Sequence, residues 1–144
     1  MSADLQFFDT NVLVYLFDND SPLKQAQARK LFEQGAEHSV ISPQVLGEFY
    51  VAVTRKLTRP LSPDIARDAV EALCTMRIRQ LHGGLVRAAI ARSMASQISY
   101  WDGLIVETAI EANAGILLTE DLQHGQMFAA LRVENPFIHL GTAD

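Results

Sequence analysis

Three short apolar segments, residues 5–8, 39–41 and 116–118, alternate with longer segments of helical periodicity in this chain of 144 residues. Each apolar segment has the length of a short buried strand. Strands that are separated by helices pair in parallel, because the crossover helix returns the chain to the same end of the sheet. The sequence therefore predicts an α/β fold with a mainly parallel sheet flanked by helices.

Pairs of serine and proline mark two of the predicted helix starts. Ser42-Pro43 and Ser62-Pro63 each combine a good N-cap residue with a proline that fits the first helical position. The predicted helices cover residues 22–33, 43–57, 63–75, 85–95 and 99–113, and a further helix starts within residues 11–17. Additional strands are predicted at residues 78–81 and, at an edge of the sheet, within residues 131–140. Gly83-Gly84 is expected to separate a strand from a helix.

Length and composition predict one folded domain that spans residues 1–144. With 49% hydrophobic and 20% charged residues, the chain differs from disordered sequences. Its first residues lack a basic leader and no apolar run approaches a bilayer-spanning length, so we expect a cytosolic protein with no membrane association. The single cysteine, Cys74, lies in an apolar helical stretch and is expected to be a buried thiol.

Four carboxylates stand apart from other charges or directly follow strands: Asp9, Glu48, Asp102 and Asp121. Two of them follow predicted strands, and two lie in early turns of predicted helices. Because sites in parallel sheets form outside the carboxyl ends of the strands, all four can face one crevice. Such a cluster repels itself and raises pKa values, and a divalent cation relieves this repulsion. All-oxygen ligands suit Mg²⁺ or Mn²⁺ better than Zn²⁺.

Each of these acids also has an ordinary structural explanation. Asp9 is suited to capping the helix that follows it, and Asp102 has capping-box spacing from a preceding serine. Glu48 can be partly exposed or paired with a distant arginine, while Asp121 or its neighbour Glu120 can face a helix N-terminus. The position of all four at one predicted rim favours a shared site over unrelated caps.

The other polar residues give little support to different kinds of site. Glu107 and Glu111 lie on another side of their helix from Asp102, so we assign them to a solvated face. The four histidines lack zinc-type spacing and most are expected at the surface, with His124 alone near the proposed site. Gly83-Gly84 lacks the lysine and hydroxyl residue of a phosphate-binding loop. The net charge of −5 argues against non-specific attraction to nucleic acid, unless cations neutralise the carboxylates locally.

The segments around the acids resemble a known family. These segments are Phe7-Phe8-Asp9-Thr10-Asn11-Val12-Leu13, the helix that contains Glu48, Tyr100-Trp101-Asp102, and Leu118-Thr119-Glu120-Asp121-Leu122. In this order and at these separations they resemble the PIN-domain nucleases, most of all the VapC-type toxins of bacterial toxin–antitoxin pairs. The resemblance covers nearly the whole chain. Gly103 stands where that family commonly has alanine after the third acid.

The resemblance implies a Rossmann-like sheet and a ribonuclease that depends on Mg²⁺ or Mn²⁺. It implies that Asp9, Asp102 and Asp121 are catalytic metal ligands. It makes Glu48 a ligand directly or through water, prefers Asp121 to Glu120, and gives Asn11 and Thr119 supporting roles. The implied partners are an RNA substrate, such as transfer RNA or another structured RNA, a small antitoxin protein, and a second copy of the chain in a homodimer.

Basic residues after the helix of Glu48 are candidates for contact with RNA phosphates. They are Arg55, Lys56 and Arg59, and Arg87 and Arg92 form a second group. The alternative for both groups is a solvated helix face.

Two other functions remain open at this point. A phosphatase with an aspartate nucleophile also places an Asp after its first strand, but it usually needs a second Asp two residues later, where this chain has Asn11. A PIN-like fold can also serve as a non-catalytic module that binds RNA or a protein partner, although the intact acids argue against it.

Overall fold

The structure is a computed structural model that describes residues 5–140 of the chain. Its strands are β1 (Gln6–Phe8), β2 (Ser39–Ile41), β3 (Arg77–Ile78), β4 (Ile116–Leu118), β5 (Met127–Phe128) and β6 (Leu131–Glu134). They form one sheet in the spatial order β3-β2-β1-β4-β6-β5. The pairings from β3 through β6 are parallel, and β5 is antiparallel to β6. This confirms the predicted α/β fold with a mainly parallel sheet.

Six α-helices connect the strands. They are α1 (Thr10–Val14), α2 (Pro22–Gly35), α3 (Pro43–Arg55), α4 (Pro63–Leu73), α5 (Gly83–Ser96) and α6 (Tyr100–Glu111). The serines before α3 and α4 cap their helices, because Ser42 Oγ accepts the backbone N–H of Val45 and Ser62 Oγ accepts that of Ile65. Among the helices of residues 5–140, none is both long enough and apolar enough to span a membrane.

The two central strands are buried on both faces. Phe7 and Phe8 of β1 are fully buried although successive side chains point to opposite sides of a sheet, and the same holds for Leu117 and Leu118 of β4. Burial of consecutive residues is expected when helices cover both faces of a parallel sheet. The core therefore lies on both sides of the β1–β4 pair.

The strand predicted within residues 131–140 is not an edge strand. β6 lies between β4 and the two-residue strand β5, which occupies the edge. A strand of two residues is too short to produce a recognisable alternation of apolar and polar residues, so the sequence did not reveal β5.

Two other expectations differ from the structure. β3 ends at Ile78, before Gly83-Gly84 as expected but earlier than the predicted residue 81, and the two glycines form the first turn of α5; a first turn tolerates glycine because its N–H groups lack helical partners in any case. Cys74 is exposed, not buried. It follows Leu73, whose side chain is buried, and one further residue rotates the side chain by roughly 100° around the helix.

Gly103, next to Asp102, allows α5 and α6 to approach closely. A Cβ atom at Gly103 would lie 2.7 Å from the backbone oxygen of Ala89 in α5. The side chain of Arg92 in α5 also donates to Glu107 of α6 at 2.8 Å. The alanine expected from the family resemblance does not fit this helix pair without a shift.

We predict that Gly103→Ala lowers the free energy of unfolding by about 1–3 kcal/mol, because the added methyl group must push two backbones apart. The matched control is Gly47→Ala in α3, where the new Cβ meets nothing within 4 Å. This control should raise stability by about 0.5–1 kcal/mol, as replacement of an interior helical glycine usually does. Urea unfolding measures both changes, and an increase in stability for Gly103→Ala would contradict the close approach of the helices.

Candidate functional site

The site lies where the direction of the sheet connections reverses. From β1 the chain proceeds through β2 to β3 on one side, whereas β4 and β6 lie on the other side of β1. Parallel sheets place their ligand sites outside the carboxyl ends of the strands at such a switch point. Asp9 directly follows β1, and its backbone N–H donates to the carbonyl oxygen of Leu118 at the end of β4 at 3.0 Å. The segment that contains Asp121 therefore begins beside Asp9.

Asp9 is both a helix cap and a member of the acidic site. Its Oδ1 accepts the backbone N–H of Thr10 at 2.7 Å and caps α1. Its Oδ2 accepts the hydroxyl of Thr119 at 2.8 Å. The side chain is only 5% exposed, so both carboxylate oxygens are held in fixed positions. The two explanations offered for Asp9 are thus compatible.

Thr119 and Asn11 connect α1 to the segment after β4. The Oγ1 of Thr119 accepts from Asn11 Nδ2 at 3.2 Å and from the backbone N–H of Asp121 at 3.1 Å, while it donates to Asp9. The Oδ1 of Asn11 accepts the backbone N–H of Glu120 at 3.4 Å. One hydroxyl therefore fixes the relative positions of Asp9 and Asp121.

Asp102 reaches the same site from the first turn of α6. Ser99 caps this helix by accepting the backbone N–H of Asp102 at 3.0 Å, so the cap itself positions the acid. Carboxylate oxygens of Asp9, Asp102 and Asp121, one from each residue, lie within 4.8 Å of one another. This spacing allows the three side chains to hold one metal ion.

Glu48 lines the same cavity but is not one of the three clustered acids. Its Oε1 accepts the hydroxyl of Thr10 at 2.8 Å, and its Oε2 accepts Nε2 of Gln44 at 3.1 Å. Gln44 Nε2 also donates to the carbonyl oxygen of Trp101 at 3.2 Å. Glu48 is therefore held at the side of the cluster by residues of α1 and α3. The cavity that contains all four acids has a volume of about 830 Å³.

Burial and mutual repulsion oppose the ionisation of this cluster. Burial, partly offset by the hydrogen bonds from Thr119 and Thr10, raises the pKa of Asp9 from 3.8 to about 7. The pKa of Asp102 is also raised, first by burial and then by the charge of Asp121. A divalent cation would favour the ionised forms, and a donor set made of carboxylate oxygens suits Mg²⁺ or Mn²⁺.

Glu120 faces away from the cluster. Its Oε1 accepts the hydroxyl of Tyr15 at 2.5 Å, and its Oε2 lies 3.0 Å from Nζ of Lys24. The ammonium group of Lys24 also lies over the rings of Tyr15 and Phe137, at 4.9 Å and 5.6 Å from their centroids. These contacts hold Glu120 on the outer side, while its neighbour Asp121 faces the other acids.

The basic residues are less concentrated at the site than their sequence suggested. Lys56 lines the acidic cavity, whereas Arg55 is exposed and does not line it. Arg59 lines a separate small cavity beside Asp18. Arg92 pairs with Glu107 and stacks on an aromatic ring, and Arg87 is exposed. Lys56 is thus the basic residue of these two groups that the structure brings to the acids.

Glu107, Glu111 and the four histidines do not line the acidic cavity. Glu107 and Glu111, expected on a solvated face, are partly buried; Glu107 forms an ion pair with Arg92, and Glu111 forms an ion pair with Arg79 and a hydrogen bond with His82. All four histidines are exposed, as expected for most of them. His124 accepts the backbone N–H of Asn135 and does not line the acidic cavity.

Sequence reasoning missed Thr10, Gln44 and Trp101. Thr10 and Gln44 hold Glu48, and a signal existed for Gln44, because it precedes Glu48 by four residues and so shares its helix face. Trp101 lines the cavity with an exposed ring. Nothing in the sequence distinguished that ring from a core residue, since its neighbours in α6 are mostly apolar.

The raised pKa of Asp9 predicts an unusual pH dependence of stability. Between its unfolded value of 3.8 and its folded value of about 7, the folded protein retains a proton that the unfolded chain has lost. With EDTA present to remove metal ions, the ionisation of Asp9 should therefore lower the free energy of unfolding as the pH rises, by at most about 1.4 kcal/mol per pH unit. Thermal unfolding at about pH 5 and pH 8 should show a smaller decrease for Asp9→Asn than for the wild type. Asp68→Asn, on an exposed face of α4, is the control, and equal pH dependence in all three proteins would refute this assignment.

The chain is similar to known proteins in its sequence pattern and in its fold. The family model of the PIN domain matches residues 7–127. Among curated proteins, the sequence comparison found no significant match. Several solved structures are similar in fold, and in the three described next the similarity covers most of both chains.

A toxin–antitoxin complex from Klebsiella pneumoniae is 20% identical, with a TM-score of 0.70 over 91% of this chain and 97% of that chain. VapC20 of Mycobacterium tuberculosis, a sarcin-ricin loop cleaving toxin, is 18% identical, with a TM-score of 0.63 over 81% and 91%. VapBC2 of Rickettsia felis, bound to a promoter DNA fragment, is 22% identical, with a TM-score of 0.64 over 91% and 98%. The fold, the family match and the placement of the acids at the switch point lead to one conclusion: the chain belongs to the PIN domain family.

Proposed function

We propose that this chain is a metal-dependent endoribonuclease that acts as the toxin of a toxin–antitoxin pair. The observation that carries the proposal is the approach of Asp9, Asp102 and Asp121 to within 4.8 Å of one another in a cavity that Glu48 also lines. Membership of the PIN domain family supports a nuclease role. On this proposal, residues 1–144 form one catalytic domain.

The three clustered aspartates would hold Mg²⁺ or Mn²⁺, and Glu48 would act through a bound water. When bound, such an ion activates a water for attack on a phosphodiester and stabilises the oxygen that leaves. Because Thr119 fixes both Asp9 and Asp121, the chain provides a preformed set of ligands. Thr10 and Gln44 orient both oxygens of Glu48, which places its carboxylate to accept a hydrogen bond from water in the cavity.

The cavity suits a phosphate only after its negative charge is reduced. Among the described residues that line it, Lys56 is the one basic side chain, beside five acids: Asp9, Asp18, Glu48, Asp102 and Asp121. Lys56 would neutralise part of the charge of the bound RNA backbone, and exposed Arg55 and Arg59 would extend this effect along α3 and the segment after it. Strong dependence of activity on the divalent cation follows from this balance of charge.

The proposed substrate is an exposed loop of a structured RNA, such as transfer RNA. Single-stranded loops allow the backbone to bend into a site, whereas a regular duplex does not. The similar VapC20 structure is described as that of a toxin that cleaves the sarcin-ricin loop, which is consistent with a structured RNA target. The similar toxin–antitoxin complexes make a small antitoxin the proposed partner, and a homodimer in the cytoplasm is part of the same proposal.

The structure gives no support to the alternative of a phosphatase with an aspartate nucleophile. Asn11 occupies the position where that mechanism needs a second acid, and both ends of its amide are already bonded to Thr119 and Glu120. The alternative of a non-catalytic module does not explain why three acids are held together at an energetic cost.

We predict that the purified protein cuts transfer RNA or total RNA into discrete products with Mg²⁺ or Mn²⁺ and loses this activity in EDTA. Asp102→Asn should reduce the rate at least about 100-fold, because loss of a direct ligand exceeds the 10- to 100-fold effect of outer-shell partners. Gel analysis of end-labelled RNA measures the rate. Asp68→Asn is a matched control, since its side chain is 74% exposed on α4. Cleavage that persists in Asp102→Asn would refute the proposal.

We also predict a graded loss of metal affinity. Asp121→Asn replaces one of the clustered carboxylates by a neutral amide and should nearly abolish Mn²⁺ binding, whereas Glu48→Gln should weaken it by about 10-fold, as loss of an outer-shell group does. Isothermal titration calorimetry at pH 8 compares the two variants with the wild type. Equal losses would make Glu48 a direct ligand and contradict the water-mediated role.

A further inference from the structure

Trp101 is the single tryptophan of the chain, and its side chain is 60% exposed immediately before Asp102. Exposed apolar residues are common, so exposure alone carries no function. Trp101 differs from the other exposed apolar residues in its location, because it lines both the acidic cavity and a second cavity.

The second cavity has a volume of about 510 Å³ and adjoins the acidic cavity, with which it shares lining residues. Gln44, Gly47, Glu48 and Trp101 line both spaces. The remaining lining residues of the second cavity are Pro43, Leu81 and Leu104. Among the described residues, this lining therefore includes no lysine or arginine, and most of it is apolar. Such a surface suits a flat, uncharged group better than a phosphate.

The ring of Trp101 is held in place although it is exposed. The backbone carbonyl oxygen of Trp101 accepts a hydrogen bond from Nε2 of Gln44 in α3, which fixes the first turn of α6 against that helix. The ring of Tyr100 packs edge-on against it, with centroids 4.9 Å apart and an interplanar angle of 75°. In this T-shaped arrangement Tyr100 covers at most one face of the indole, and Trp101 remains 60% exposed, so a face is available for stacking.

We propose that Trp101 is a stacking platform for an unpaired base of the RNA strand whose phosphate lies at the acidic cluster. This inference rests on the proposed nuclease function. The Cα atom of Trp101 is one peptide, about 3.8 Å, from that of Asp102, so a nucleotide at the acids has its neighbouring base within reach of the indole. Aromatic stacking accepts every base, and it secures single-stranded RNA without reading its sequence.

The first test measures cleavage kinetics with Mg²⁺ on a loop-containing RNA. Trp101→Ala should raise KM about 5- to 150-fold, the effect of losing one stacked base, with kcat changed by no more than about twofold. Trp101→Phe retains an aromatic face and should stay within about threefold of the wild-type KM. Tyr50→Ala removes an exposed aromatic ring that lines neither cavity, and it is the matched control.

The outcomes distinguish failure of the nuclease proposal from failure of the stacking proposal. If the wild type does not cleave RNA with Mg²⁺, the nuclease proposal fails. If the wild type cleaves RNA but Trp101→Ala keeps the wild-type KM, or Trp101→Phe is as impaired as Trp101→Ala, the stacking proposal is overturned while the nuclease stands. Unchanged KM together with loss of inhibition by a protein partner would assign the ring to that partner instead.

A direct readout comes from the fluorescence of the single indole. In the Asp102→Asn protein, a six-nucleotide single-stranded RNA should quench this fluorescence as it binds, with binding followed independently by anisotropy of an end label. An abasic oligonucleotide of the same length carries the same phosphates and should leave the indole signal unchanged. Equal quenching by both oligonucleotides, or binding of the RNA without quenching, would overturn the assignment of Trp101 to a base.

Discussion

The parallel pairing of β1 with β4 is the constraint on which the site depends. Phe8 pairs with Leu118 at the carboxyl ends of these strands, and the next residues of both strands leave the sheet side by side. The hydroxyl of Thr119 then accepts from Asp121 and Asn11 and donates to Asp9. Because the strands are buried on both faces, a slip in register would move each phenylalanine and leucine side chain to the opposite face and disrupt its packing against the helices. The core therefore fixes the relative positions of the two central acids.

The same arrangement brings carboxylates together where their ionisation is unfavourable. A carboxylate as buried as Asp9 is costly to ionise, and two further acids within 4.8 Å add to the cost. The chain reduces this cost with hydrogen bonds from Thr10 and Thr119, but within residues 5–140 no basic side chain forms an ion pair with the three clustered acids. Lys24, which lies near the segment after β4, pairs with Glu120 instead of Asp121. Stability is thus lowered at the place where a divalent cation would restore it, which is typical of functional sites.

Local patterns in the sequence were sufficient to predict the central strands, most helix boundaries and the presence of acids at strand ends. Ser-Pro pairs and strand lengths act within a few residues, so their meaning does not depend on the rest of the fold. The different orientations of Glu120 and Asp121 depend on Lys24 and Tyr15, which are 96 and 105 residues away from Glu120 in the chain. Periodicity carries no information at that distance.

The same reason accounts for the other differences. The exposure of Cys74 depends on which side of α4 packs against the core, and Leu73 occupies that side. The ion pair between Arg92 and Glu107 depends on the close approach of α5 to α6 that Gly103 permits. The lateral position of Glu48 depends on a hydroxyl from α1, and the second cavity that Trp101 lines depends on residues of α3.

The central claim is that the three aspartates form a site for one divalent cation. Anomalous diffraction from crystals grown with Mn²⁺ at about pH 8, above the pKa of about 7 at Asp9, tests it most directly. The account predicts an anomalous peak at metal–oxygen distances of about 2.0–2.3 Å from carboxylate oxygens of Asp9, Asp102 and Asp121. Crystals without a peak there, or with Mn²⁺ bound only to other acids, would contradict it.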